Sequence, residues 1–318
     1  MIPVDLITGF LGAGKTTFLL RYAAYLADQG KRLGILTYDH GALNVDLPLL
    51  RALSARGCTI ETIAGGCDAD CHRRRFRTRL IEMGMAGYDR IVIEPSGVFD
   101  LDEFFDTLAE PPLDRKFEIG SVIAIVDALP DRETSAEEDF FLASQAAGAG
   151  AIVLSRTQLA DAEEIAETVA HLRRAAAAIR AELPGDGAII TKPWDELTET
   201  DLAALSRCGH GAPDYVKTVS TEALSIQSLP YLNLPLGRQA LTARVAALFA
   251  SSTYGKILRV KGFFEEDGLW YQLNATRDTT RIESVPPTRA ALLVIGSALR
   301  EDAIGELLTG QKPQLHIL

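Results

Sequence analysis

Near its N-terminus the chain carries the octapeptide GFLGAGKT at positions 9–16, which fits the pattern G-x-x-x-x-G-K-[ST]. The apolar run Ile2–Thr8 before it predicts a buried strand, and the amphipathic stretch Lys15–Asp28 after it predicts a helix. A glycine-rich turn that joins a strand to a helix is typical of α/β domains with a parallel sheet. The octapeptide therefore restricts the fold class before any other residue is considered.

The same octapeptide has the groups needed to hold a chain of phosphates. Its glycines allow the backbone to curl with N–H groups pointing inward, and the start of the following helix adds partial positive charge. The Lys15 ammonium is expected to reach the β- and γ-phosphates, and the Thr16 hydroxyl to ligate Mg²⁺. The alternative is a glycine-rich turn with an incidental lysine. The predicted phosphate-binding residues are Gly9, Gly12, Ala13, Gly14, Lys15, Thr16 and Thr17.

A second motif lies further along the chain, in the sequence IVIEPSG at positions 91–97. It predicts an apolar strand that ends in Glu94, with Gly97 three residues later. A carboxylate at this place can hold a water of Mg²⁺, and the Gly97 N–H can contact a γ-phosphate. By itself the motif fits a strand followed by a turn equally well. Next to a phosphate loop we favour the functional interpretation, with Glu94 and Lys15 as catalytic groups.

Short apolar runs alternate with helical patterns over the first two thirds of the chain, which predicts a mostly parallel sheet covered by helices. This alternation of strand and helix patterns ends near Thr198. Residues 206–236 contain many Gly, Pro and Ser residues, and short strands are predicted from Gly255 onward. We therefore predict three regions. They are a P-loop α/β domain at 1–198, a linker with a connecting helix at 199–253, and a smaller α+β domain at 254–318.

The composition limits the functions that the chain can have. Its 318 residues carry a formal net charge of −11, which argues against binding to nucleic acid or to an anionic membrane. We find no signal peptide and no uncharged apolar run long enough to cross a bilayer, and we expect a cytoplasmic protein. Cys58, Cys67, Cys71 and Cys208 are too few for a disulfide scaffold. The closely spaced pair therefore indicates a metal or redox site.

Three segments together resemble one known family. The phosphate loop with Thr17, the segment 94–97 and the segment GKILRVKG at 255–262 are similar to those of the CobW-like GTPases, relatives of the nickel-insertion GTPases of urease and hydrogenase maturation. The resemblance covers nearly the whole chain. It implies a GTP- and Mg²⁺-dependent hydrolase that delivers Zn²⁺, Co²⁺ or Ni²⁺ to a client metalloprotein or corrinoid protein, and it is compatible with homodimers. It also implies slow turnover without a partner, since hydrolysis in this class works as a switch.

The chain departs from that family where the base is recognised. The family has Asn-Lys-x-Asp, and this chain has SRTQ, with Ser155, Arg156 and Gln158 as the predicted base-side residues. An aspartate accepts hydrogen bonds from two guanine N–H groups, whereas a glutamine offers one carbonyl and one NH₂ group. Losing this charge-assisted pair costs about 1.5–3 kcal/mol of binding free energy, or roughly ten- to a hundredfold in affinity. We hypothesise weak guanine selectivity with competition by ATP, unless nearby backbone groups restore guanine recognition.

The chain also departs from the family's metal motif, Cys-x-Cys-Cys. Its own sequence there is GCDADCH at 66–72, so that Cys67 is in register and Cys71 comes one place late. On a helix the two thiolates share one face, and with Asp70 or His72 they suit Zn²⁺ or another transition metal. Two ordinary buried thiols are an equally good interpretation.

A third departure lies in the switch segment, where the family's Asn-Glu-Phe-Gly is YDHG at 38–41. Asp39 keeps the carboxylate, so it is a candidate for positioning the attacking water and a further candidate metal ligand. His40 is new, and a solvent-exposed histidine is the better interpretation of it.

Two other features have a structural and a functional interpretation. The arginines at 73–79 predict an anion dock or, as we favour, a solvated helix face. Trp194 is expected either to flank the base or to pack in the core.

Two functions stay open. In the first, the chain is a GTPase coupled to metal delivery or to the maturation of a metalloenzyme. In the second, it binds ATP or GTP as a regulatory interaction module and transfers no metal. Only the first predicts turnover that Zn²⁺, Co²⁺ or Ni²⁺ stimulates.

Overall fold

The computed structural model of the protein divides into two compact units. The first consists of Met1–Asp39 and Leu49–Ala223, and the second is built on Leu224–Leu318. The structure describes residues 1–39, 47–64, 69–99, 101–129, 134–212, 214–216, 226–277 and 279–310.

A seven-stranded parallel sheet forms the centre of the first unit. The strands are β1 (Ile2–Thr8), β2 (Leu33–Asp39), β3 (Thr59–Ala64), β4 (Arg90–Pro95), β5 (Phe117–Asp127), β6 (Ala151–Ser155) and β7 (Ile189–Ile190). Their order in the sheet is β3-β2-β4-β1-β5-β6-β7, so that β1 lies between β4 and β5. This arrangement confirms the parallel sheet that the alternating pattern predicts.

Helices connect these strands, and several begin at residues that stabilise a helix start. Ser135 and Glu138 form a capping box at one helix, and Asp161 and Glu164 form another. The helices of the first unit are α1 (Lys15–Asp28), α2 (Leu47–Ser54), α3 (Ala69–Met85), α4 (Leu101–Ala109), α5 (Ala136–Ala147), α6 (Ala162–Ala178) and α7 (Glu199–Leu205).

The sheet is buried on both faces, which explains why its strands are almost continuously apolar. Leu6 packs in one hydrophobic cluster and the next residue, Ile7, packs in the other. Ile35 and Leu36 divide in the same way, because successive side chains of a strand point to opposite faces. The helices on both sides hold the C-terminal ends of β1 and β4 in fixed positions.

The elements of the second unit are β8 (Ile226–Leu232), α8 (Arg238–Ala250), β9 (Lys256–Glu266), β10 (Leu269–Ala275), β11 (Thr280–Val285), β12 (Ala291–Ser297) and α9 (Glu301–Thr309). The strands form a five-stranded antiparallel sheet with the order β11-β10-β9-β12-β8. Leu241 and Val245 of α8 and Ile304 of α9 pack with Val260 and Val294 of the sheet in one core. A smaller α+β domain is thereby confirmed.

The limits of the two units differ from the domain limits expected from the sequence. Strand β8 lies inside the stretch 206–236, which we interpreted as irregular, and both β8 and α8 belong to the second unit. Strand β8 was not predicted from the sequence because Pro230 interrupts the strand pattern. Proline is tolerated there because β8 is an edge strand that pairs with β12 alone. At the other end of the expected linker, α7 belongs to the first unit.

Candidate functional site

The glycine loop between β1 and α1 has the backbone conformation of a tight cradle. Gly9, Gly12 and Gly14 have φ angles of 141°, 83° and 99°. A Cβ atom on Gly9 would lie 2.2 Å from the carbonyl oxygen of Ile125, so no other residue fits at that position. Ala13 is buried and Thr17 is exposed. The chain therefore curls tightly at the C-terminal end of β1.

The Lys15 side chain turns back into this loop. The residue is buried, and its Nζ donates hydrogen bonds to the carbonyl oxygens of Gly9 at 2.7 Å and Phe10 at 3.2 Å. An ammonium group in this position lies inside the curl of the backbone. An anion enclosed by the loop would therefore lie next to this ammonium group.

Thr16 and Glu94 come together although 78 residues separate them in the chain. The Thr16 hydroxyl donates to Glu94 Oε1 at 2.5 Å. Glu94 is buried near the end of β4, the neighbour of β1, and parallel strands end at the same edge of a sheet. A hydroxyl and a carboxylate are hard oxygen donors of the kind that Mg²⁺ prefers.

The loop that follows β4 lies against the glycine loop. A Cβ atom on Gly97 would lie 2.5 Å from the backbone nitrogen of Leu11 and 2.7 Å from its Cα. Only a glycine permits this approach, so Gly97 lies directly beside the phosphate loop, and its contact with a γ-phosphate stays a prediction.

Arg156 links the base-side loop (155–158) to the phosphate loop. It has a left-handed backbone conformation, with φ 58°. Its guanidinium forms an ion pair with Asp127 at the end of β5 and donates to the carbonyl oxygen of Gly12 at 3.1 Å. Arg156 therefore positions the phosphate loop, and the role of Asp127 was not identified from the sequence.

The other residues of the base-side loop divide into buried and exposed. Ser155 and Thr157 are buried, and neither hydroxyl has a hydrogen-bond partner among the residues that the structure describes. Gln158 is exposed in a short 3₁₀ turn. Buried hydroxyls without partners are costly, and they are expected where a bound molecule supplies the missing partner.

Trp194 packs behind the phosphate loop. Its Nε1 donates to the carbonyl oxygen of Leu154 at 2.7 Å, and its ring makes an edge contact with Phe18 at 5.5 Å between centroids. A Cβ on Gly14 would lie 3.1 Å from the indole. These contacts agree with the packing interpretation of Trp194.

The predicted transition-metal site falls largely outside the described residues. Cys67 and His40 lie outside them, and for Asp39, Asp70 and His72 the structure describes the backbone only. Cys71 is half-buried in the first turns of α3. Among the described side chains, no group of three His, Cys, Asp or Glu residues that could hold a metal occurs.

Aromatic contacts connect helix α3 to strand β2 and to the loop after β4. The ring of Phe76 in α3 stacks on Tyr38 at 5.7 Å and meets Phe99 edge-on at 6.2 Å. Tyr38 lies next to the end of β2, and Phe99 lies two residues after Gly97. Burial raises the pKa of the Tyr38 phenol. The phenol therefore stays neutral within this apolar cluster.

Three arginines of α3 form ion pairs with acidic residues of the same unit. Arg73 and Arg77 form ion pairs with Glu110, and Arg79 forms ion pairs with Glu61 and Glu82. These contacts agree with the solvated helix face that we favoured over an anion dock.

A buried polar network around Asp5, in the middle of β1, was not identified from the sequence. Asp5 accepts hydrogen bonds from the Tyr22 hydroxyl at 2.7 Å, from Arg90 at 2.9 Å and from the backbone N–H of Ser121 at 2.8 Å. Because Asp5 belongs to β1 and Tyr22 to α1, the network connects the two elements that flank the glycine loop, and Arg90 joins β4 to them. A single acid within an apolar run gives no signal of such partners.

A strand, a glycine loop with a lysine inside it and a helix, with an acid on the neighbouring strand, define the P-loop class of nucleotide-binding domains. A family model described as "CobW/HypB/UreG, nucleotide-binding domain" matches residues 3–184, more than half of the chain. The protein therefore belongs to the CobW/HypB/UreG family, as the resemblance of its motifs implied.

Several characterised proteins are similar to this chain. The Escherichia coli protein named "Zinc chaperone YjiA" is 33% identical over 181 residues, which cover 54% of this chain and 54% of that protein. The protein of a Sinorhizobium species named "Zinc chaperone CobW" is 31% identical over 190 residues, 51% of this chain and 52% of its own length. The chain thus spans about half the length of the curated relatives it matches.

One solved structure that is similar to this chain is the crystal structure of the Zn(II)-bound YjiA GTPase from E. coli. It is 21% identical, with 98% of this chain and 99% of that chain covered and a TM-score of 0.39.

Within the described part of our chain, every helix is too short or too polar to cross a membrane.

Proposed function

We propose that the protein binds GTP with Mg²⁺, hydrolyses it, and uses this cycle to deliver a transition metal to a client metalloprotein or corrinoid protein. The observation that carries the proposal is the convergence of Lys15, Thr16 and Glu94 at the edge of the sheet where the glycine loop curls. Family membership supports it, and relatives with similar sequences are named zinc chaperones.

The residues at this edge fit a triphosphate and a Mg²⁺ ion. Gly9 admits no side chain, because a Cβ atom there would meet the carbonyl oxygen of Ile125, so the curl of the loop depends on this glycine. The Thr16 hydroxyl and the Glu94 carboxylate would hold the ion directly or through water. When bound, Mg²⁺ neutralises negative charge on the β- and γ-phosphates.

Lys15 has the main electrostatic role in this proposal. Its ammonium now donates to two carbonyl oxygens of the loop, and a phosphate oxygen is a stronger acceptor because it carries charge. We expect Lys15 to exchange these partners for the γ-phosphate and to stabilise the charge that develops as water attacks. Asp39 remains our candidate for positioning that water.

The base-side loop supports binding of a purine with a relaxed preference. Ser155 and Thr157 present buried hydroxyls near the phosphate loop, while the exposed Gln158 has no charge with which to select guanine. We propose GTP as the preferred nucleotide with ATP as a competitor.

The transition metal is the cargo in this proposal, with Cys67 and Cys71 as thiolate ligands and Asp70 or His72 completing the set. The other two cysteines are poor ligands, because a metal binds the thiolate form. Burial raises the pKa of the Cys208 thiol to about 11 and also raises that of Cys58. Both thiols therefore stay protonated at neutral pH.

Calorimetry with Zn²⁺, Co²⁺ and Ni²⁺ tests the cargo, and phosphate release measured with and without each metal tests its coupling to hydrolysis. The double variant Cys67→Ala, Cys71→Ala should lose metal binding and metal-stimulated turnover. The matched double variant Cys58→Ala, Cys208→Ala should keep both. Metal binding that survives in the first variant would exclude this ligand set.

A second function is favoured by one observation, the uncharged Gln158 at the place of the family's aspartate. In this alternative, the protein binds ATP or GTP equally and acts as a regulatory interaction module without metal transfer. Equal dissociation constants for the two nucleotides, together with hydrolysis that no metal stimulates, would support the module.

A further inference from the structure

The loop after β4 is attached to α5 by one buried side chain, that of Gln145. Its Nε2 donates to the carbonyl oxygen of Gly97 at 3.0 Å and to that of Phe99 at 3.5 Å. Both acceptors are carbonyls, so the NH₂ end of the amide must face the loop. The residue is 1% exposed, and 48 residues separate it from Gly97.

An amide at this position is not explained by packing. Among the described residues, Gln145 Oε1 is buried without a hydrogen-bond partner, which costs stability. Phe141, Ala143 and Ala146 of the same helix are buried, and an apolar residue of similar length would fit such surroundings without that cost. The contribution of the amide at this position is therefore the two hydrogen bonds that it donates to the loop.

Helix α5, which carries Gln145, is held in place by its own contacts. Its start is stabilised by the capping box of Ser135 and Glu138, and α5 packs between β5 and α6. On the other side of the loop, Gly97 lies against Leu11 of the phosphate loop with no room for a Cβ atom. The Gly97 backbone is thus held between a rigid helix and the phosphate loop.

We propose that Gln145 is a positioning residue that sets the Gly97 peptide for contact with a γ-phosphate. This inference rests on the proposed function, because Gly97 is expected to distinguish a triphosphate from a diphosphate. A diphosphate occupies the phosphate loop but does not reach Gly97. Loss of the Gln145 amide therefore weakens triphosphate binding selectively.

The test compares Gln145→Met, which keeps the length but has no donor, with Gln145→Glu, whose carboxylate cannot donate to the two carbonyls. Ser144→Ala is the control, since the Ser144 hydroxyl bonds only to Phe141 of its own helix turn in the described contacts. Dissociation constants are measured for GDP and for a non-hydrolysable GTP analogue, with Mg²⁺ present.

For Gln145→Met we expect about a three- to tenfold loss of affinity for the triphosphate analogue, as for one or two neutral hydrogen bonds, with GDP affinity within twofold of wild type. Gln145→Glu should lose more, and Ser144→Ala should match wild type. An equal loss for both nucleotides would assign Gln145 to the fold alone, and no loss would leave it without a role; either overturns the inference. If wild type binds neither nucleotide, the proposed function itself fails.

Discussion

The phosphate loop and the base-side loop follow strands β1 and β6 of the same sheet, at the same edge, yet we propose that different kinds of group act in them. In the phosphate loop the proposed binding groups are backbone amides, and their directions depend on glycines such as Gly9 that no other residue can replace. In the base-side loop the proposed selecting groups are side chains, and this chain differs from the family pattern at Ser155, Arg156 and Gln158. We therefore expect substitutions in the phosphate loop to abolish triphosphate binding, and substitutions in the base-side loop to change base preference without affecting hydrolysis.

Arg156 joins the two loops, since it bonds to Asp127 and to the Gly12 carbonyl. We expect this contact to affect phosphate binding more than the choice of base. The comparison thus predicts that changes in the phosphate loop strongly lower the rate of hydrolysis. It also predicts that a change at Gln158 raises the selectivity for guanine.

The largest effect is expected from Lys15→Ala. We expect hydrolysis to fall by roughly 100- to 1000-fold, because one donor to the developing negative charge is removed. Phosphate release under single-turnover conditions measures the loss. Lys31→Ala, at an exposed lysine just beyond α1, is the control. Hydrolysis that persists in Lys15→Ala would refute the phosphate-loop proposal.

The next effect concerns Mg²⁺ and Glu94. In Glu94→Gln the charge is lost while the shape is kept, so the Mg²⁺ concentration that gives half-maximal hydrolysis should rise roughly 10- to 100-fold. A Mg²⁺ titration of the hydrolysis rate provides the measurement. If the titration curves coincide, Glu94 has no part in holding the ion.

A smaller effect, of opposite sign, is expected at the base-side loop. Gln158→Asp restores the carboxylate that can accept two guanine N–H groups, so the ratio of ATP to GTP dissociation constants should rise by roughly tenfold. Gln158→Asn, which adds no charge, should leave the ratio unchanged. A ratio that is already a thousandfold in wild type would contradict the hypothesis of relaxed preference.

The smallest effect is expected at Asp201, in helix α7. The hydrogen bond from Lys192, followed by those from Thr198, lowers the pKa of Asp201 from its usual 3.8 to about 2. A lowered pKa means that the ionised Asp201 stabilises the fold above about pH 4, and that this contribution disappears as the pH falls towards 2. Wild type should therefore unfold at a higher temperature than Asp201→Asn at pH 6, and this difference should shrink at pH 2.5.

Much of the phosphate-binding region could be predicted because its signals are local. The limits of β1 and α1 agree with the apolar run and with the amphipathic stretch around the glycine loop. Strand β8 was missed because one proline, Pro230, is allowed at a sheet edge but resembles a break in sequence. The cysteine site stays a prediction, since Cys67 lies outside the described residues.

By itself, the sequence determined the fold class, the phosphate loop and the family, because each depends on motifs or patterns that are formed by residues close together in the chain. Only the tertiary structure decided which distant groups meet. The contact of Thr16 with Glu94 follows from the pairing of β1 with β4, and the contact of Gln145 with Gly97 follows from the packing of α5. Local patterns cannot specify such contacts, since the order of strands in a sheet depends on how the whole chain buries its apolar surface.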